Sequence, residues 1–166
     1  ALPPIADRFD ATIPDVQWIV LAFLLTVGAL LLPVGRFSDM AGHRRVFTGG
    51  LAVFTVGAVL AAFAPSLLAL ILFRVVQGMG AAMVQATSLP IIVSAFPSSQ
   101  RGKAIGMMMG VLAFGAICGP VVGGGVVALL GWRFFFLLSV PIGAAATVLA
   151  LRIPTLRAPP AATASP

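Results

Sequence analysis

Five apolar stretches dominate the sequence, and each is long enough to cross a lipid bilayer as a helix. They cover residues 17–34, 46–64, 67–95, 104–130 and 134–151. A membrane-spanning helix needs about 20 predominantly apolar residues, and at least about 17. Arg74 is the one charged residue inside any of these stretches. The sequence therefore predicts an all-α polytopic membrane protein with five transmembrane helices.

The composition excludes an ordinary soluble domain. Charged residues make up 8% of the chain and hydrophobic residues 60%, whereas soluble globular domains contain about 25% charged residues. The net charge of +6 does not require a nucleic-acid partner, because the basic residues are distributed as in a membrane protein. The expected partner of the five stretches is the lipid bilayer.

The basic residues concentrate in alternate connections between the stretches, and this pattern predicts the orientation. Cytoplasmic segments of membrane proteins carry an excess of Lys and Arg. The connections 35–45 and 96–103 and the tail after residue 151 are therefore predicted to be cytoplasmic, and the start of the chain to be outside. The residues behind this prediction are Arg36, Arg44, Arg45, Arg101, Lys103, Arg152 and Arg157.

Both ends of the chain are expected to lie outside the five spans. Residues 1–16 are predicted to be an outer loop that follows a missing first span, and residues 154–166 a Pro- and Ala-rich disordered tail or linker. The absence of Glu, together with abundant Ala, Arg and Gly, suggests a GC-rich bacterial genome. A multi-pass protein of the bacterial inner (plasma) membrane is therefore expected.

The first motif is GRFSDMAGHRR at residues 35–45. Gly35 allows a neighbouring helix to approach closely. Asp39, at a membrane boundary, favours an Arg or the positive N-terminal end of a helix nearby. Gly42, Arg44 and Arg45 complete the motif. The simpler alternative is an ordinary positive cytoplasmic loop with one acid, and His43 is expected to be solvated.

The second motif is LFRVVQGMGAA, which places Arg74 about two turns inside the third stretch. An Arg at the bilayer centre costs about 2.5–3.5 kcal/mol on insertion scales, so it is expected to face a cavity or a partner. Gln77 and Gly78 follow at three and four residues and share its helix face. The alternative is a structural Arg whose side chain reaches the interface.

The third motif is GAICGPVVGG in the fourth stretch. Small residues at every fourth position form a bare stripe that permits close helix packing, and the proline is expected to bend the helix. Generic helix packing is the alternative interpretation. The motif residues are Gly115, Gly119, Pro120, Gly123 and Gly124.

These motifs resemble those of the major facilitator superfamily. The first is similar to the family's loop motif G-x-x-x-D-(R/K)-x-G-R-(R/K), with departures at Met40 and His43. The second resembles R-x-x-Q-G of the fourth span, and the third resembles the antiporter motif G-x-x-x-G-P-x-x-G-G of the fifth. The stretch GWRFFFLLSVPIG resembles the opening of the sixth span in drug:proton antiporters. The likeness covers nearly all of residues 1–153, and it is closest to the fourteen-span multidrug exporters.

The resemblance implies that the five helices form most of an N-terminal six-helix bundle, as spans 2–6. It further implies a conformational latch in the loop motif, proton coupling at Arg74 with Gln77 and Gly78, and a hinge and seal in the glycine motif. The implied function is export of amphipathic small molecules in exchange for protons, driven by the proton gradient without a cofactor. The partners would be substrates, protons, the first span and the C-terminal bundle.

Other chemistry finds little support in the sequence. There is no phosphate-binding G-x-x-x-x-G-K-[ST] and no cluster of His and Cys, so neither an ATP-driven pump nor an enzyme is expected. All four Asp residues lie outside the apolar stretches, whereas a proton antiporter needs an acid within the membrane. The second hypothesis is therefore a truncated, non-transporting fragment, or an assembly subunit that needs the missing parts.

Overall fold

The computed structural model describes residues 11–152, and five α-helices account for nearly all of them. Each of the five is long and apolar enough to cross a membrane, which confirms the predicted polytopic all-α fold. No β-strand occurs within residues 11–152. The helices are α1 (Ile13–Ala41), α2 (His43–Ala62), α3 (Leu67–Ala95), α4 (Ser98–Leu130) and α5 (Trp132–Arg152). The predicted tail 154–166 and the first ten residues of the predicted outer loop lie outside the described part.

The helices extend beyond the apolar stretches, so the connections between them are short. The segment 35–45, predicted as a loop, is helical up to Ala41 and again from His43. Gly42 alone separates α1 from α2, with a φ of +92° that L side chains rarely adopt. Gly131 makes the same kind of break before α5, with a φ of +88°. The hydropathy of the sequence identifies the apolar centre of each helix, but it does not show that the polar residues at either end are also helical.

Helix α3 is central, because it packs against both α1 and α2, and α2 packs in turn against α5. Glycines permit the closest contacts. A Cβ placed on Gly80 of α3 would lie 2.6 Å from the carbonyl oxygen of Gly50 on α2, and a Cβ on Gly57 would lie 2.8 Å from the backbone of Gln77. The two helices therefore touch backbone to backbone, which is the packing that small residues allow in membranes.

A buried cluster joins all five helices at one end of the bundle. Because consecutive helices run in opposite directions, the starts of α1, α3 and α5 meet the ends of α2 and α4 there. Trp132 and Phe136 of α5 pack edge to face in this cluster, with ring centroids 6.2 Å apart. Its members are Val16, Ile19, Ala61, Ala62, Ala64, Leu70, Val127, Trp132 and Phe136.

Large apolar side chains are exposed along the helices, as expected for a surface in contact with lipid. Leu32 of α1 is 78% exposed and Leu129 of α4 is 85% exposed. Helix α4 is the least covered element, and only Gly123 and Val127 among its residues are buried.

Candidate functional site around Arg74 and the residue 35–45 motif

The guanidinium of Arg74 lies between helices. Its Nε donates a hydrogen bond to the carbonyl oxygen of Ile19 on α1, at 3.1 Å, and its Nη1 donates to Gln77 Oε1, at 2.6 Å. Two phenyl rings lie within cation–π distance, Phe23 of α1 at 4.3 Å and Phe136 of α5 at 5.8 Å. The side chain thus has partners on α1 and α5 as well as Gln77 on its own helix.

Gln77 and Gly78 lie at the contacts that hold this site together. Gln77 is 2% exposed, and its backbone packs against Gly57 of α2. A Cβ on Gly78 would lie 3.0 Å from the carbonyl oxygen of Phe23 on α1. The absence of a side chain at Gly78 therefore lets α1 approach α3 closely enough for Phe23 and Ile19 to reach Arg74.

Within the part of the chain that the structure describes, the groups that contact Arg74 are electrically neutral. Within residues 11–152 the single ion-pair contact joins His43 and Asp39, at the far end of α1. Asp15 lies in the first turn of α1, where its carboxylate accepts hydrogen bonds from the backbone and hydroxyl of Thr12. The charge of Arg74 is therefore balanced by a carbonyl, an amide oxygen and two ring faces.

The loop motif forms a compact turn around a buried serine. Ser38 is 1% exposed, and its hydroxyl donates to the carbonyl oxygen of Gly35 at 2.7 Å. His43 Nδ1 lies 3.0 Å from the same hydroxyl oxygen, and its Nε2 lies 3.7 Å from Asp39 Oδ1. His43, expected to be solvated, is therefore part of the turn. Asp39 itself is 71% exposed and available to a further partner.

Arg44 joins this motif to the end of α5. Its Nη2 donates to the carbonyl oxygens of Leu151, at 2.9 Å, and Ala150, at 3.1 Å. The last carbonyls of a helix have no partner within the helix, and a cation there also interacts favourably with the helix dipole. Arg45, by contrast, is exposed. Arg44 and Arg45 therefore have different surroundings.

The glycine motif of α4 is mostly free of contacts within the described part of the chain. A Cβ on Gly115, Gly119 or Gly124 would meet no atom within 4 Å. Gly123 is the exception, because a Cβ there would lie 2.7 Å from the Phe135 ring of α5. Pro120 lies within the continuous helix and is exposed. None of the motif residues is among the partners that the structure gives Arg74 within residues 11–152.

Several residues of the Arg74 site carry no clear signal in the sequence. Phe23 and Phe136 are two of twelve phenylalanines, and nothing in their spacing distinguishes them. Gly57 lies in an apolar run whose role is visible only once α2 and α3 are docked. The sequence indicates that a buried cation needs partners, but it does not indicate which residues these partners are.

Comparison with known proteins gives a consistent result. The family model described as Major Facilitator Superfamily matches residues 1–166. The chain is 38% identical over 92% of its length to the riboflavin transporter RibZ of Clostridioides difficile, covering 33% of that protein. It is 36% identical over 93% of its length to the tetracenomycin C resistance and export protein of Streptomyces glaucescens, covering 29% of it. The methylenomycin A resistance protein of Streptomyces coelicolor is 37% identical over 84% of the chain, which covers 30% of that relative.

The chain thus spans about a third of the length of these curated relatives. The family match over the whole sequence agrees with the five membrane-spanning helices and with the three motifs. On these grounds the chain belongs to the Major Facilitator Superfamily of membrane transporters.

Proposed function

We propose that residues 1–166 form part of a proton-coupled secondary transporter that exports drugs or other amphipathic small molecules by alternating access. The observation that carries this proposal is Arg74, a cation held inside a membrane-spanning helix by neutral partners. Ionisable residues in such helices are costly and mark ion or substrate pathways. The relatives named for tetracenomycin C export and methylenomycin A resistance support drug export, while the riboflavin transporter supports a wider range of substrates.

In this proposal the helices α1–α5 are spans 2–6 of the N-terminal bundle, and Arg74, Gln77 and Gly78 take part in proton coupling. A cation close to a carboxylate favours release of its proton, and separation of the two favours uptake. The carboxylates of the described residues, Asp15 and Asp39, lie near the two ends of α1. The proton-carrying acid is therefore assigned to a span outside residues 1–166.

The residue 35–45 motif is proposed to act as the conformational latch. Asp39 is exposed and can meet the C-terminal bundle, while Arg44 ties the motif to the end of α5. A movement of the motif would then be transmitted to α5, which also carries Phe136 beside Arg74. Gly35, Gly42 and Arg45 belong to the same latch.

The glycine motif of α4 is proposed to be the hinge and seal against helices outside residues 1–166. Its bare face at Gly115 and Gly119 supports this assignment, because only another backbone or small side chains can fill such a surface closely. The end of the bundle at which α1 and α5 end carries most of the basic residues of the described part, whereas Arg74 and Arg133 lie toward the other end. This excess supports a cytoplasmic position for the end with more basic residues. We place the protein in the bacterial inner membrane, with the start of α1 outside.

We expect the protein that contains this chain to move a fluorescent amphipathic cation into inverted membrane vesicles when the vesicle interior is made acidic. Because the vesicles are inverted, this uptake corresponds to export from the cell. Collapse of the gradient with a proton ionophore should stop export, because the gradient is the energy source. Vesicles from cells without the protein serve as the matched control. Export that continues in the absence of a gradient would contradict proton coupling. A complete lack of export, in vesicles that hold the folded protein, would instead favour a non-transporting assembly subunit.

A further inference from the structure

Two phenylalanines from different helices surround the charge of Arg74. The Phe23 ring centroid lies 4.3 Å from Arg74 Cζ, and the Phe136 ring centroid lies 5.8 Å from it. Both distances are within the range of about 6 Å at which a ring face attracts a cation, and the attraction is strongest where water is excluded. The rings come from α1 and α5, whereas Arg74 belongs to α3.

The two phenylalanines have different surroundings. The carbonyl oxygen of Phe23 lies against Gly78, where a Cβ would approach it to 3.0 Å. Phe136 is 4% exposed and packs edge to face against Trp132 and Phe135, at centroid distances of 6.2 and 5.6 Å. The backbone of Phe23 is therefore held against α3, and the ring of Phe136 is buried. Groups on α1 and α5 hold the guanidinium together with Gln77 of its own helix.

These contacts do not depend on a proton. Ring faces and the Ile19 carbonyl attract the cation equally whether a nearby acid is charged or neutral. An arginine held only by a carboxylate would lose its partner each time that acid took up a proton. Neutral partners keep the guanidinium in place through both states of the acid.

We infer that Phe23 and Phe136 are positioning residues, which hold Arg74 at the place where it acts. The inference rests on the proposed role of Arg74 in proton coupling. According to this inference, positions 23 and 136 require an aromatic ring, and an apolar side chain of similar size is not sufficient. A residue that merely fills space could be replaced by leucine at little cost, whereas a ring that holds a cation could be replaced only by another aromatic residue.

The test uses the full protein in membrane vesicles and two readouts. The first is the rate at which phenylglyoxal, an arginine reagent, modifies Arg74, followed by mass spectrometry of the peptide that contains it. The second is the rate of proton-driven export. The variants are Phe23→Leu, Phe23→Tyr and Phe136→Leu. Matched controls are Phe37→Leu on α1 and Phe134→Leu on α5, whose side chains are 54% and 51% exposed.

Phe23→Leu is expected to raise the modification rate of Arg74 about tenfold and to lower export by a similar factor, since a desolvated cation–π contact has about this strength. Phe136→Leu should act in the same direction with a smaller effect, because its ring is farther away. Phe23→Tyr should restore both readouts to within about twofold of the wild type, and the two controls should leave them unchanged.

Unchanged reactivity of Arg74 in Phe23→Leu and Phe136→Leu would overturn the inference, as would equal defects in Phe23→Leu and Phe23→Tyr. The modification readout does not require transport. If the wild-type protein exports nothing, the proposed function fails, and the reactivity of Arg74 still decides whether the rings hold it.

Discussion

Arg74→Ala is expected to abolish proton-driven export while the protein still inserts and folds. The substitution removes a cation that costs about 2.5–3.5 kcal/mol to place in the membrane. It also removes two hydrogen bonds from a charged group, each contributing about 1.5–3 kcal/mol, and two ring contacts of about 0.5–2 kcal/mol each. The contacts that are lost outweigh the insertion cost that is regained, so Arg74→Ala should be less stable than the wild type, although its more apolar α3 should still insert. The loss of coupling chemistry is not compensated, since no other cation lies within the five apolar stretches of the sequence.

The measurement is the initial rate of gradient-driven export by purified protein in liposomes, normalised to the amount of folded protein. The export rate of Arg74→Ala should be at least about a hundredfold lower than that of the wild type. This corresponds to a rise of about 2.7 kcal/mol in the barrier of the rate-limiting step. Arg133→Ala is the matched control, because Arg133 is an exposed arginine in the first turn of α5. Undiminished proton-driven export by Arg74→Ala would exclude a role for this residue in coupling.

Substitution of Gly80 is expected to give the largest loss of stability. A Cβ at this position would lie 2.6 Å from the Gly50 carbonyl oxygen and 2.7 Å from Phe54 Cα, and it would also collide with the Phe54 backbone nitrogen. These are backbone atoms, which cannot move aside as a flexible side chain can. Overpacking typically costs about 1–3 kcal/mol, so Gly80→Ala should reach the upper end of this range. Gly80→Leu should separate α2 from α3.

Thermal unfolding in detergent, followed by circular dichroism, measures this effect. Gly80→Ala should lower the midpoint by several degrees, and Gly80→Leu should give no folded protein. Gly125→Ala is the control, because a Cβ there would meet no atom within 4 Å in the described structure. If Gly80→Leu unfolded at the wild-type temperature, the close approach of α2 and α3 at this glycine would be refuted.

The sequence was sufficient to predict the number and type of the helices. A run of apolar residues without charge has few alternatives in a membrane, because every backbone polar group must be satisfied within the helix or a closed barrel. The position of Arg74, and its relation to Gln77 on the same helix face, followed from helical spacing alone. The hydrogen bond between the two side chains agrees with that prediction.

The contacts between helices could not be predicted in the same way. In a soluble helix the contrast between polar and apolar faces shows which side is buried, but the helices of this chain are apolar on every side. Arg74 and Ile19 are 55 residues apart, and Arg44 and Ala150 are 106 residues apart. Residues so distant in sequence become partners only when their helices pack against each other. The packing of these helices depends on close contacts at glycines such as Gly57 and Gly80.

The local structure of the residue 35–45 motif differs from the predicted loop. Its residues were predicted as a loop because charged residues interrupt the apolar stretches. In the structure the charged residues continue the helices, and Gly42 alone has a non-helical backbone. Arg44, which the resemblance includes in the latch, donates within the described residues to the carbonyls at the end of α5. The proposed latch therefore rests chiefly on Asp39, which remains exposed.

The most direct test of the central claim is the movement of protons that accompanies export. The purified protein is reconstituted in liposomes that contain a pH-sensitive dye, and an amphipathic substrate is added on one side without an imposed gradient. A proton antiporter should move protons in the direction opposite to the substrate, so the lumenal pH should change on addition, and Arg74→Ala should abolish that change. Substrate movement without any change in lumenal pH would contradict proton coupling and, with it, the role proposed for Arg74.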